Sequence, residues 1–154
     1  MIFTIKSVLL FLGLFIAALI DKKTFTIPNW LTITMIVVGL FFGFLPEGSF
    51  SVEAGLIRFF ETILIFGMVL LPFLFKVPWL LPGGDGKLFI AITAFNGITL
   101  SVYAVLAGLI LAIMEALLIN WRRNLSFKEF RQLQIPLAPS ILLGTIVIFI
   151  YTVY

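Results

Sequence analysis

Two aspartates carry most of the reactive chemistry in this chain. Asp21 opens the stretch Asp21-Lys22-Lys23-Thr24-Phe25-Thr26-Ile27-Pro28-Asn29-Trp30, and Asp85 lies within Pro82-Gly83-Gly84-Asp85-Gly86-Lys87-Leu88. Each stands where an apolar run meets a Gly- or Pro-marked break. Two carboxylates that meet share a proton, because like charges at short range resist double ionisation. Such a pair can hydrolyse an amide: the ionised member takes a proton from water while its protonated partner polarises the scissile carbonyl. Partial burial would help by raising a carboxyl pKa. Gly83, Gly84 and Gly86 read as a loop with the backbone freedom to let a substrate strand come close. Lys87 either favours the ionised state of Asp85 or anchors the next helix at an interface. A purely structural account is also open, in which Asp85 caps the following helix and Asp21 pairs with Lys22 or Lys23. The glycines could also cradle a phosphate, but the pattern Gly-x-x-x-x-Gly-Lys-Ser/Thr is absent.

The elements that must position these residues are set by composition. Of 154 residues, 62% are hydrophobic and 11% charged, with seven acidic side chains in all. Mean hydropathy is +1.26. Soluble domains are far richer in charge, so the chain reads as an integral membrane protein of one domain over residues 1–154. It has no cysteine and no histidine, which removes disulfides, Cys/His zinc sites and every histidine-based triad. The net charge of +3 comes from short loops between apolar runs and signals orientation rather than a nucleic-acid partner. No Ala-x-Ala site with a polar region follows the first apolar run, so that run is expected to be a retained span.

Apolar runs divided by punctuation predict an all-α polytopic bundle of about six helices: Ile2–Ile20, Trp30–Leu45, Leu56–Phe75, Gly86–Phe95, Ile98–Asn120 and Pro139–Val153. The fourth is short, rising about 15 Å against a hydrocarbon core of about 30 Å. It is tolerable only inside protein or beside a water-filled cavity. A turn at Asn96-Gly97 places Lys22, Lys23, Lys76, Lys87, Arg122, Arg123, Lys128 and Arg131 on one side, eight of the ten basic residues. By the positive-inside rule that side is cytoplasmic, both termini lie outside, and Trp30, Trp79 and Trp121 become interfacial anchors. Lys6 and Arg58 are the exceptions. Asp21 and Asp85 then share the cytoplasmic side.

Pro82 through Leu88 resembles the Gly-x-Gly-Asp signature of intramembrane aspartyl proteases, in the Asp-x-Lys-Leu version of type IV prepilin peptidases. Asp21 followed by Ile27-Pro28-Asn29 and Leu31-Thr32 is similar to that family's first catalytic segment. Gln134-Ile135-Pro136-Leu137-Ala138-Pro139, with Ser140–Gly144, resembles the segment that opens its last helix. The three occur in the family's order across nearly the whole chain.

The resemblance implies a membrane endopeptidase that removes the short leader from prepilin, pseudopilin or flagellin-like precursors at the cytoplasmic face of the inner membrane. Asp21 and Asp85 match the catalytic pair, and they would have to approach through a hinge or loop movement. Pro136 and Pro139 would position the substrate or the last helix, and Asn29 would either bond the Asp21 segment or start the second helix. No cofactor or metal is implied, and the expected partners are the precursor and the bilayer. Two departures stand out. Pro82 replaces the first glycine of the signature, and the cysteine-bearing region tied to substrate N-methylation is missing, so a peptidase without methyltransferase activity is expected.

Glu61 and Glu115 read as acids paired with a base or hydroxyl, or near an interface; the alternative is an ion path. Two other functions stay open: a small transporter subunit using those acids, and a non-catalytic assembly component of a pilus or secretion machine.

Overall fold

The computed structural model describes residues 2–46, 49–75, 83–123 and 135–153, with side chains at 2–4, 73, 83 and 153 left aside. Glu47, Lys76, Trp79, Pro82, Lys128, Arg131 and Gln134 lie outside the described residues, and so do the expectations placed on them.

Six helices are present among the described residues: α1 (Ile2–Thr24), α2 (Asn29–Gly43), α3 (Val52–Leu74), α4 (Gly83–Asn96), α5 (Ile98–Arg123) and α6 (Leu137–Val153). No strand occurs among them. α3, over Val52–Pro72, and α5 are long and apolar enough to cross a membrane, while α2 and α6 are apolar but shorter. A buried hydroxyl costs little in such helices where it finds a carbonyl one turn back, as Thr62 does on Arg58 and Thr145 on Ile141.

α4 is the hub. Leu88, Ala91, Ile92, Thr93 and Ala94 have no exposed surface, because α1, α2 and α6 pack Leu14, Leu31, Met35 and Ile141 into one cluster around it, and α3 adds Ile65 and Val69 on another side. Its 14 residues rise only about 21 Å, so protein, as the short fourth run requires, encloses it. α5 and α6 approach closely through Gly108 and Gly144, where any Cβ would strike the facing backbone.

Several helix ends differ from the sequence expectation, and both aspartates are affected. α1 runs a full turn past Ile20, so Asp21 lies inside a helix rather than at a loop edge. It stops because Phe25 adopts φ 51°, a left-handed conformation that costs a non-glycine residue strain, while the Phe25 N–H still donates to the Asp21 carbonyl at 2.8 Å. α4 begins at Gly83 rather than Gly86, which puts Asp85 in its first turn. α3 starts four residues early, with the Ser51 hydroxyl accepting the Ala54 N–H as an N-cap.

At the opposite end of α4, Gly97 alone turns the chain into α5 with φ 86°. The Arg58 guanidinium lies against it and is joined at 2.9 Å to Glu61. Glu61 is thus the paired acid of the sequence reading, and its partner is one of the two basic exceptions. Glu115 is exposed on α5 and does not face the bundle.

Candidate active site

The site forms where the end of α1 meets the starts of α2, α4 and α6. Asp21 is 6% exposed, and its Oδ2 accepts the backbone N–H of Ala138 at 3.0 Å. Ala138 is the second residue of α6, so one of the amides left over at that helix start is satisfied by a side chain from α1. Pro136 and Pro139 flank it and carry no N–H of their own. The positive end of the α6 dipole therefore faces Asp21. Among the described residues Asp21 forms no ion pair, so the pairing with Lys22 or Lys23 is not seen; both lysines are exposed at the end of α1.

After Phe25 the chain folds back. Ile27 is buried at 4%, Pro28 is extended, and Asn29 begins α2. This short segment reaches α4 on either side of Asp85. The Ile27 side chain packs on Gly84, where a Cβ would lie 3.5 Å from its Cδ1. Two residues on, Asn29 Oδ1 accepts a hydrogen bond from Lys87 Nζ at 2.6 Å. Asn29 thus starts the second helix, as one of its two readings had it, and its bond goes to Lys87 and not to the Asp21 segment.

From the other side, Val69 of α3 fills the space beside Gly86, where a Cβ would lie 2.5 Å from its Cγ1. This corrects the sequence reading of the glycines. Gly83, Gly84 and Gly86 are not an open loop but the first turn of α4, and the lack of side chains at Gly84 and Gly86 admits Ile27 and Val69 rather than a substrate strand.

Asp85 stands in that first turn, ahead of the apolar stretch that starts at Leu88. Burial, and secondarily the charge on Asp21, raises its carboxyl from the ordinary 3.8 to about 6. The Lys87 ammonium turns to Asn29. The arrangement is asymmetric, with one carboxylate held by an amide at a helix start and the other pushed towards its protonated form. Carboxylates separated in this way are suited to opposite roles in proton transfer. Among the described residues no three acidic side chains gather as a metal-holding group.

Residues 8–117 match the type IV leader peptidase family. The chain belongs to that family. No curated protein and no solved structure shows significant similarity to it. The segment matched to the leader peptidase family includes both aspartates and the whole of the Ile27–Asn29 and Gly83–Lys87 contact, and membership points to aspartic peptidase activity in general terms. With the two long apolar helices it also marks a membrane protein. The start of α6, which supplies the Ala138 amide, lies beyond the matched region.

Three contributors to this candidate site were missed from the sequence: Ala138, Ile27 as a packing residue, and Val69. A backbone amide has no side-chain signature, so only the prolines at 136 and 139 hinted at a helix start there. Val69 looked like any apolar residue in a long span.

Proposed function

We propose that this protein is a membrane aspartic endopeptidase that removes the leader from prepilin, pseudopilin or flagellin-like precursors, with Asp21 and Asp85 as its catalytic dyad. The observation that carries the reading is that α1 and α4, inside the family-matched region, bring the two carboxylates to one end of the bundle, where the segment that follows Asp21 packs through Ile27 and Asn29 on Gly84 and Lys87, either side of Asp85.

In the first step Asp21, ionised, takes a proton from water as the oxygen attacks the scissile carbonyl, and Asp85 gives its proton to the carbonyl oxygen. In the second the tetrahedral adduct collapses. Asp85 recovers a proton from one hydroxyl, Asp21 passes its proton to the departing nitrogen, and the C–N bond breaks. Both carboxyls end as they began.

The dyad end faces the cytoplasm of the inner membrane and the helices span it with both termini outside. Support comes from the exposed Lys22, Lys23, Arg122 and Arg123 together with the exposed Trp30 and Trp121, which all belong to helix termini at the dyad end. The peptidase acts without methyltransferase activity, a reading supported by the lack of cysteine. Opposed to a transporter role, Glu61 is held by Arg58 at 2.9 Å and Glu115 faces away from the bundle.

The test is leader cleavage of a panel of candidate precursors in liposomes by the wild type, Asp21→Asn and Asp85→Asn. Cleavage that is lost in both folded variants is the expected result. Activity surviving either substitution would sink the dyad, and a folded wild type that cleaves no precursor of the panel would favour the assembly role.

A further inference from the structure

Asp85 has little of its own to hold it in place. It stands at the start of a helix, where the amides lack intrahelical partners and the turn frays readily, and Gly83, Gly84 and Gly86 around it have no side chains to anchor it. Among the described residues, this turn is gripped by Ile27 on Gly84, by Val69 beside Gly86, and by Lys87 Nζ on Asn29 Oδ1 at 2.6 Å. The first two are apolar and can slide. The third is directional and charge-assisted. It also comes from the segment that continues, through the Phe25 turn, from the helix bearing Asp21.

We propose that Lys87 and Asn29 form a latch that sets the position of Asp85 relative to Asp21, making both of them positioning residues for the peptidase reaction; the inference rests on the dyad reading given above. A lysine at a membrane interface ordinarily extends to water. Here Lys87 instead bonds a side chain 58 residues earlier. With the latch closed, the first turn of α4 moves with the start of α2, and the start of α2 is tied to Asp21 by seven residues of chain. A hydrogen bond to a charged group at a partly exposed site is worth roughly a factor of ten in population, so opening it depletes the aligned state by about that much.

The absence of native cysteine makes the test direct. The position that a Cβ would take on Gly84 is 3.9 Å from Ile27 Cβ, within disulfide range. The pair Ile27→Cys and Gly84→Cys in the full chain therefore reports by its oxidation rate whether the first turn of α4 stays on the 27–29 segment. Adding Lys87→Met or Asn29→Ala should slow cross-linking several-fold, and adding Asn29→Asp, which keeps an acceptor for Lys87, should restore it. In the cysteine-free protein, Lys87→Met and Asn29→Ala should each lower kcat for leader cleavage about tenfold with KM changed less than about twofold, and the double variant should be no worse than the worse single. Cross-linking that is indifferent to Lys87 would overturn the latch. So would a raised KM at unchanged kcat, which would make Lys87 a substrate contact, or losses that simply multiply in the double variant. Slowed cross-linking in a chain that cleaves nothing would leave the latch standing and remove the peptidase reading, so the two failures are told apart.

Discussion

Asp21 accepts its buried hydrogen bond from the backbone N–H of Ala138, 117 residues further along the chain. The same side chain that is proposed as one half of the dyad also closes the amino-terminal turn of α6. Structure and reactivity can be separated by choice of substitution. Asp21→Ala leaves the Ala138 amide buried without an acceptor and should cost about 1–2 kcal/mol of stability. Asp21→Asn keeps an amide oxygen in place and should melt within a few degrees of wild type while losing cleavage. Thermal unfolding in detergent, run beside the cleavage assay, checks both.

The raised carboxyl of Asp85 has a defined sign. A folded-state pKa of about 6 against an ordinary 3.8 means that the folded chain favours the protonated form. Its contribution to stability is present in full below pH 3.8 and is lost as pH rises to about 6. The Tm of the wild type should therefore carry a decline across that window that Asp85→Asn lacks. With Asp85 as the acid, kcat/KM should fall about tenfold per pH unit above that pKa. A rate that instead rises with pH from 6 to 8 would exchange the roles of the two carboxyls.

Gly84 and Gly86 should respond differently to alanine. A Cβ on Gly84 meets Ile27 at an ordinary 3.5 Å, whereas on Gly86 it meets Val69 at 2.5 Å. Gly84→Ala should hold or raise the Tm, since alanine favours the helix by up to about 1 kcal/mol. Gly86→Ala should lose about 1–3 kcal/mol through overpacking, and Val69→Ala in the same chain should recover part of that loss. Equal melting of the two single variants would contradict the packing.

Legibility from sequence followed physical cause. The helices could be read because a bilayer demands long apolar runs, and the burial of α4 followed from its being too short for lipid. The ends could not. Gly83-Gly84 looks like a break, yet the first turn of α4 forms there because Ile27 and Val69 occupy the space that the glycines leave. Lys22, Lys23 and Thr24 look like a loop, yet α1 continues to the left-handed Phe25. Asp21 and Asp85 stood out because carboxylates are rare in such a chain. The Ala138 amide and the Lys87–Asn29 bond did not, since pairs separated by 117 and 58 residues leave no local pattern.

Arg58 and Glu61 offer a remote control. They join α3 to the Gly97 turn, which lies twelve positions after Asp85 and roughly 18 Å from it along the α4 axis. Glu61→Gln and Glu115→Gln should cleave within about twofold of wild type, whereas a transporter using these acids would lose transport. Gly97→Ala should destabilise by about 2 kcal/mol or more, because it forces alanine into φ 86° and displaces the Arg58 guanidinium. Proteoliposome cleavage and thermal melting check these in one set of samples.

The single-residue joint at Gly97 bears on how the chain is made. On the spanning reading, α4 at about 21 Å is too short to partition into lipid unaided, and most of its surface is reserved for neighbours that are synthesised both before and after it. α5, with 26 residues, can cross by itself. The two are joined too tightly to travel separately, so α4 enters during biogenesis as the short arm of a hairpin carried by α5. The start of α4, with Asp85, then stays on the side from which the hairpin entered, and the surroundings of Asp21 become complete only after α6 has been synthesised and has docked on α1.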